Sequence, residues 1–183
     1  MKCAFKEWAV VCDAMGDGLQ SVIVRKGGIA EGQDGFSFRE KEFFLYPTWF
    51  HEQVERTTLP VDTPVPPEPN EDLEIRFAAT VEWSGVVEEW DRVRALSCLH
   101  VLQESVVSDR FQYEEKPGIH VAFVRIYRLD PPPRLKNEKR YGGCRSWVEI
   151  PDIEGFAMVS VISDEEHFLR KQDLSKALGI SLS

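Results

Sequence analysis

The run Ile119-His120-Val121-Ala122-Phe123-Val124-Arg125-Ile126-Tyr127-Arg128-Leu129 limits the fold more than any other segment. As a strand it places Val121, Phe123, Arg125 and Tyr127 on one face and Ala122, Val124 and Ile126 on the other. A strand that is apolar on both faces in its middle has to be covered on both, so it belongs in the centre of a sheet. Asp130-Pro131-Pro132-Pro133 ends it, since proline brings no N–H to a ladder.

Other elements are read against that strand. Phe5, Trp8, Ala9, Cys12 and Met15 recur at helical spacing and predict an amphipathic helix over 4–15, stopped by Gly16, with Trp8 to Val11 also compatible with an extended chain. Gln20 to Arg25 is strand-like, Lys26-Gly27-Gly28 and Gly32 to Gly35 are turns, and Phe36, Phe38 and the run Glu42 to Tyr46 alternate. Together they predict a β-meander of two or three strands. Pro47-Thr48 is expected to open a short helical segment through Glu55. Leu73 to Val87 predicts a long strand, or a bent pair about Ser84-Gly85, with Leu73, Ile75, Phe77, Ala79, Val81 and Trp83 on one face. Glu88 to Asp109 is helical in composition, as two helices meeting near Ser97. Trp147 to Ile150 and Phe156 to Ile162 are short strands, and Ser163-Asp164-Glu165-Glu166 is a capping box for a helix ending at Leu178-Gly179.

Residues 57–72 hold five prolines among acids and read as an acidic linker or excursion, because such a stretch cannot enter a helix or sheet interior. The part before it is small for an independent core. The expected architecture is therefore one α+β domain over residues 1–183, its sheet mixed or mostly antiparallel, with flanking helices.

Charge is uneven along the chain. The net charge is −9, and residues 51–90 account for −8 of it, with ten Asp/Glu against Arg56 and Arg76. Residues 125–145 run the other way, with seven Lys/Arg against two acids, a local +5. An acidic whole argues against a general nucleic-acid coat protein, yet a local phosphate-binding face survives because exposed charges are screened beyond about 10 Å. No stretch has the ~18 uncharged apolar residues of a membrane span. Charges at Lys2, Lys6 and Glu7 come too early for a secretory signal, so a cytoplasmic location is expected, with the four cysteines as thiols. Their spacing matches no zinc motif, and no cofactor or metal is expected.

Two glycine blocks carry the candidate site. Arg25-Lys26-Gly27-Gly28-Ile29 offers two cations beside backbone freed by glycine, without the length of a P-loop or the G-x-G-x-x-G of a dinucleotide site. Tyr141-Gly142-Gly143-Cys144-Arg145-Ser146-Trp147 joins an arginine able to pair with phosphate to two aromatics able to stack on a base. Arg125 and Arg128 extend the basic stretch, and His51 has polar neighbours able to orient it. Each block also has a plain reading as a packed turn. Cys144, between a glycine and a cation, is a candidate nucleophile lacking a local base. Glu114-Glu115-Lys116 has the E-x-K of a nuclease but falls in a polar turn, so no catalytic centre is assigned.

Taken in order, Phe5 to Val11, Arg25 to Ile29, Leu45-Tyr46-Pro47-Thr48 with His51 and Gln53, Val124 to Leu129, and Tyr141 to Trp147 form an ordered set. By that set the chain resembles the bacterial family known as domain of unknown function 1802, over about residues 4–165. Trp49-Phe50 departs from the Tyr and Glu expected there. The resemblance carries no established activity. Because some members are joined to restriction-endonuclease-like domains, it implies a role in a restriction or modification system beside a nuclease-type partner. The leading expectation is a non-catalytic, nucleic-acid-associated module. One alternative is an enzyme acting on a nucleotide or phosphorylated ligand through Cys144 or His51. Another is a protein-interaction module docking through the acidic proline segment.

Overall fold

The computed structural model describes residues 1–26, 36–113, 116–143 and 145–182. In chain order its elements are β1 (Cys3–Trp8), α1 (Ala9–Gly16), β2 (Val22–Arg25), β3 (Glu42–Thr48), β4 (Asp72–Glu74), β5 (Phe77–Val87), α2 (Trp90–Arg94) and α3 (Glu104–Gln112). There follow β6 (Ile119–Asp130), β7 (Arg134–Lys136), β8 (Trp147–Glu149), β9 (Ala157–Ser160) and α4 (Asp164–Leu178). This is an α+β domain built on a mixed, mostly antiparallel sheet in the order β2-β6-β5-β3-β1-β8, with β9 also paired to β6.

β6 is central, as its apolar middle requires. It pairs with β5 along one side, while β2 and β9 share the other. The β5 ladder shifts register between Val81 and Trp83, so the bend predicted near Ser84-Gly85 is a bulge one to two residues earlier.

β1 overturns the helix expected over 4–15. Cys3 to Trp8 is extended, parallel to β3 and antiparallel to β8, and the helix begins only at Ala9. Both faces of β1 are buried, with Phe5 in one core and Ala4 in the other, which erases the alternation that would have marked it as a strand. The meander also fails. β2 pairs with distant β6, β3 lies parallel to β1, and Phe36 to Phe38 form no strand. Pro47-Thr48 end β3 instead of starting a helix, and only a 3-10 turn, Val54–Arg56, follows. The single face drawn from Leu73 to Trp83 is divided. Leu73 lies in β4, paired with β7, and packs with Ile75 in one core, while Phe77 and Ala79 face the other.

Helices α1, α3 and α4 supply Met15, Val107, Phe111, Leu174 and Leu178 to the larger core around Phe5, Phe43 and Phe123. The β4–β7 ribbon and the 3-10 turn Lys139–Tyr141 cover the other face, through Leu73, Leu135 and Tyr141 against Phe44 and Tyr46. At α4 the capping box is present. Ser163 Oγ accepts from the Glu166 N–H at 3.1 Å, and Gly179 closes the helix in the left-handed region. The sheet curls until its outer strands approach: Arg25 at the end of β2 donates from Nε to Ser146 Oγ, just before β8, at 3.2 Å.

Gly16, the last residue of α1, lies under the Phe77 ring, and a Cβ there would stand 2.0 Å from the ring's Cζ. Arg128 donates to its carbonyl, so the backbone is held on the other side too. Gly16→Ala is expected to lower stability by about 1–3 kcal/mol through overpacking, read as a drop in Tm, and Phe77→Leu in the same chain is expected to restore part of the loss.

Candidate functional site

Each side chain in the Tyr141 to Trp147 run has a distinct place. Tyr141 ends a 3-10 turn and is 2% exposed. Its ring lies 5.8 Å from Tyr46, and its hydroxyl accepts from Arg140 at 3.0 Å. Tyr46 in turn donates to Asn137 Oδ1, and burial pushes its phenol up to about 12. Trp147 is 7% exposed, lies edge-on to Phe5 and Phe43, and donates from Nε1 to the Ser37 carbonyl. Stacking on a ligand base, expected of Tyr141 or Trp147, conflicts with this packing. Both rings are core anchors.

Gly143 sits at φ +82°, where side chains are strained, and its carbonyl turns toward β1 to accept from Lys6 Nζ at 3.0 Å. Lys6 is only 5% exposed. It alternates with Glu7, whose side chain is 1% exposed and whose Oε1 accepts from the Trp8 N–H. The Arg25 guanidinium stands 4.0 Å from that carboxylate and 5.5 Å from the centre of the Phe5 ring. Arg110, reaching in from α3, donates to the Val24 carbonyl and lies 5.1 Å from the Trp8 ring. Burial lowers its guanidinium to about 10, while Glu7 pulls the other way. Lys6, Glu7 and Arg110 were missed by sequence reasoning. The signal was available in Lys6-Glu7, two charges inside an otherwise apolar strand, once 3–8 is read as extended.

The two glycine blocks are therefore joined, through Arg25 and Ser146. Lys26 points elsewhere, donating to the Lys116 and Gly118 carbonyls. Gly27, Gly28 and Cys144 lie outside the described residues. Arg125 and Arg128 do not reach this place. Arg25 pairs with His120 in the ladder, and Arg125 lies five residues further along β6, about 17 Å away at ~3.3 Å per residue. Arg125 donates to Ser160 Oγ and pairs with Asp164, fastening β9 and α4, while Arg128 holds the Gly16 carbonyl. His51 is exposed and lines neither of the clefts beside the run. Its neighbour Gln53 is the working residue there: buried, it caps α1 by accepting from the Val10 N–H and donates to the Thr48 and Phe50 carbonyls.

Two clefts open on either side of Tyr141-Gly142. One, of about 570 Å³, is lined by the exposed Arg39, Arg140 and Arg145, by Trp147, and by one carboxylate, Glu149. The other, of about 380 Å³, is lined by Lys6, Tyr46, Thr48, Trp49, Asn137 and Gly143 together with the charged Glu68, Glu138 and Lys139. A larger depression of about 850 Å³ near Met1 carries balanced charge, with Lys2, Arg39 and Lys41 facing Glu40, Glu42 and Glu149. No group of three His, Cys, Asp or Glu able to hold a metal occurs among the described residues. No helix among them is long and apolar enough to cross a membrane.

The fold and site define an α+β domain with a curled mixed sheet and a cationic cleft beside its closing edge. The chain belongs to the family described as Domain of unknown function (DUF1802), which matches residues 4–173. No curated protein matches it. Among solved structures it is similar to ASCH from Zymomonas mobilis, at 10% identity and TM-score 0.47, over 95% of this chain and 93% of that one. A tyrosine-to-phenylalanine mutant of that protein aligns at 10% identity and TM-score 0.45, over 81% and 88% of the two chains. A serine-to-alanine mutant aligns at 13% identity and TM-score 0.41, over 67% and 66%.

The buried charges behind the site give a pH dependence. His100 is held low, to about 4, first by burial and then by the Arg110 guanidinium, while its Nδ1 accepts from the Leu102 N–H. A histidine with a depressed folded pKa is neutral in both states above about pH 6.5. Below that the unfolded chain takes up a proton that the folded chain refuses, so stability falls until about pH 4. Between pH 7 and pH 5 this group is expected to remove about 2 kcal/mol, seen by denaturant titration. His100→Asn, which keeps an acceptor for Leu102, is expected to flatten that part of the profile.

Proposed function

We propose that the domain is a non-catalytic module that holds the phosphate backbone of nucleic acid in the Arg39–Arg140–Arg145 cleft. One observation carries the reading: a chain of net charge −9 brings three exposed guanidinium groups to one cleft whose lining holds a single carboxylate, Glu149, with Glu138 pairing Arg140 from beside it. Guanidinium forks match phosphate oxygens in pairs, and they are less strongly hydrated than ammonium groups. Arg140 is oriented by Glu138 at 3.0 Å and by the Tyr141 hydroxyl, and Arg39 lies 5.9 Å from the Trp147 ring, so two of the three forks are already positioned. Arg25 contributes as a support behind the site, through Glu7 and Ser146. His51 stands outside both clefts, which favours binding over the alternative chemistry through that residue. On the family resemblance alone, such a module would serve in a restriction or modification system, presenting nucleic acid to a nuclease-type partner.

Fluorescence anisotropy with a labelled single-stranded oligonucleotide tests this. Affinity is expected to fall linearly on a log–log plot as salt rises, by about 0.7 of a unit of slope for each phosphate contact on a single strand. Arg145→Ala is expected to weaken binding about tenfold and to reduce the slope by about 0.7, with Tm unchanged. No binding at about 20 mM salt would overturn the proposal.

A further inference from the structure

We infer that the Lys6 cleft receives one unpaired base of a strand whose phosphates lie in the arginine cleft, so that the ligand class is single-stranded nucleic acid. This rests on the function proposed above. The two clefts differ in chemistry in the way the two halves of a nucleotide do. The arginine cleft is net cationic, with Arg39, Arg140 and Arg145 against Glu149 in its lining and Glu138 beside Arg140. The Lys6 cleft is balanced, with Lys6 and Lys139 against Glu68 and Glu138. Thr48 Oγ1, which donates to the Glu7 carbonyl, keeps lone pairs to accept with, and Asn137, which accepts from Tyr46 and donates to the Pro69 carbonyl, keeps a second amide N–H. A balanced set of hydrogen-bonding groups beside an indole and a proline, Trp49 and Pro47, suits the edge and face of a base and repels no anion strongly enough to select one. Its volume, about 380 Å³, is within the range of small-molecule pockets.

The wall between the clefts is what connects them. Tyr141 and Gly142 line both. At Gly142 a Cβ would come within 3.1 Å of the Lys139 carbonyl, a tight contact, so glycine keeps the wall thin there. At Gly143 a Cβ would meet nothing within 4 Å, so the lip beside the wall is open. A strand can therefore cross with its backbone on one side and a base on the other. A base held in a duplex is stacked and paired and cannot make that step without being extruded, at a cost of a few kcal/mol.

The test uses the full chain and three labelled probes of about twelve nucleotides: a single strand, the same strand with its internal bases removed, and the duplex. The base-bearing single strand is expected to bind about tenfold more tightly than the abasic strand of equal charge, and more tightly than the duplex. Its binding is expected to quench tryptophan emission, and the quench to be lost in Trp49→Leu. Trp49 also donates to the Pro66 carbonyl, so Trp49→Phe, which keeps a stacking face, is the second variant and is expected to retain the preference for bases. Equal affinity for the normal and abasic strands, or for the duplex, would overturn the base pocket while leaving the arginine cleft in place. Binding of none of the three would overturn the proposed function itself.

Discussion

The carboxylate of Glu7 is the constraint on which the site depends. An ionised group that is almost wholly buried has to be compensated, and removing one partner of such a set costs several kcal/mol. Glu7 draws in Arg25 from β2, and its field reaches Arg110 from α3, so three elements distant in sequence are gathered at one end of β1. Arg25 then holds Ser146, and the Ser146 carbonyl accepts from the backbone N–H of Lys6 at 2.8 Å. The position of the Tyr141 to Trp147 run, and of the clefts on either side of it, follows from charge compensation inside the domain.

Charge elsewhere is arranged so that it does not cancel the cleft. The acids of 51–90 fall mostly in the proline segment, β4, β5 and the start of α2, and several are tied locally, as Glu74 is to Arg134 and Glu89 is to Arg92. Glu68 alone of the proline segment's acids lines the Lys6 cleft, where it balances Lys6 and Lys139. The basic count over 125–145 overstated the site for a related reason. Arg125, Arg128 and Arg134 serve α4, α1 and β4, and only Arg140 and Arg145 of that stretch reach the arginine cleft.

How legible each part was follows from how local its cause is. β6 could be read because its own residues are apolar on both faces, and α4 because Ser163, Glu166 and Gly179 carry its boundaries within the helix. β1 could not, since its strand state is imposed by β3 and β8, and five residues at helical spacing offered a consistent alternative. Ile75 likewise changes cores because β4 turns to pair with β7, a partner some sixty residues on. In the site, the blocks around residues 25 and 146 were found by composition. Arg39 and Lys6 were not, because their place depends on which strands lie side by side.

The pairing of β1 also has a kinetic meaning. Its neighbours are β3, about forty residues later, and β8, about 145 residues later, while β2 waits for β6. Loop closure of that length precedes any reward from contacts, so a topology of this kind folds slowly for its size. During synthesis β1 keeps one edge open until β8 has been made, and its buried Lys6 and Glu7 keep it from being a wholly apolar edge during that interval. The charges that later fix the site thus also act, earlier, as gatekeepers against aggregation.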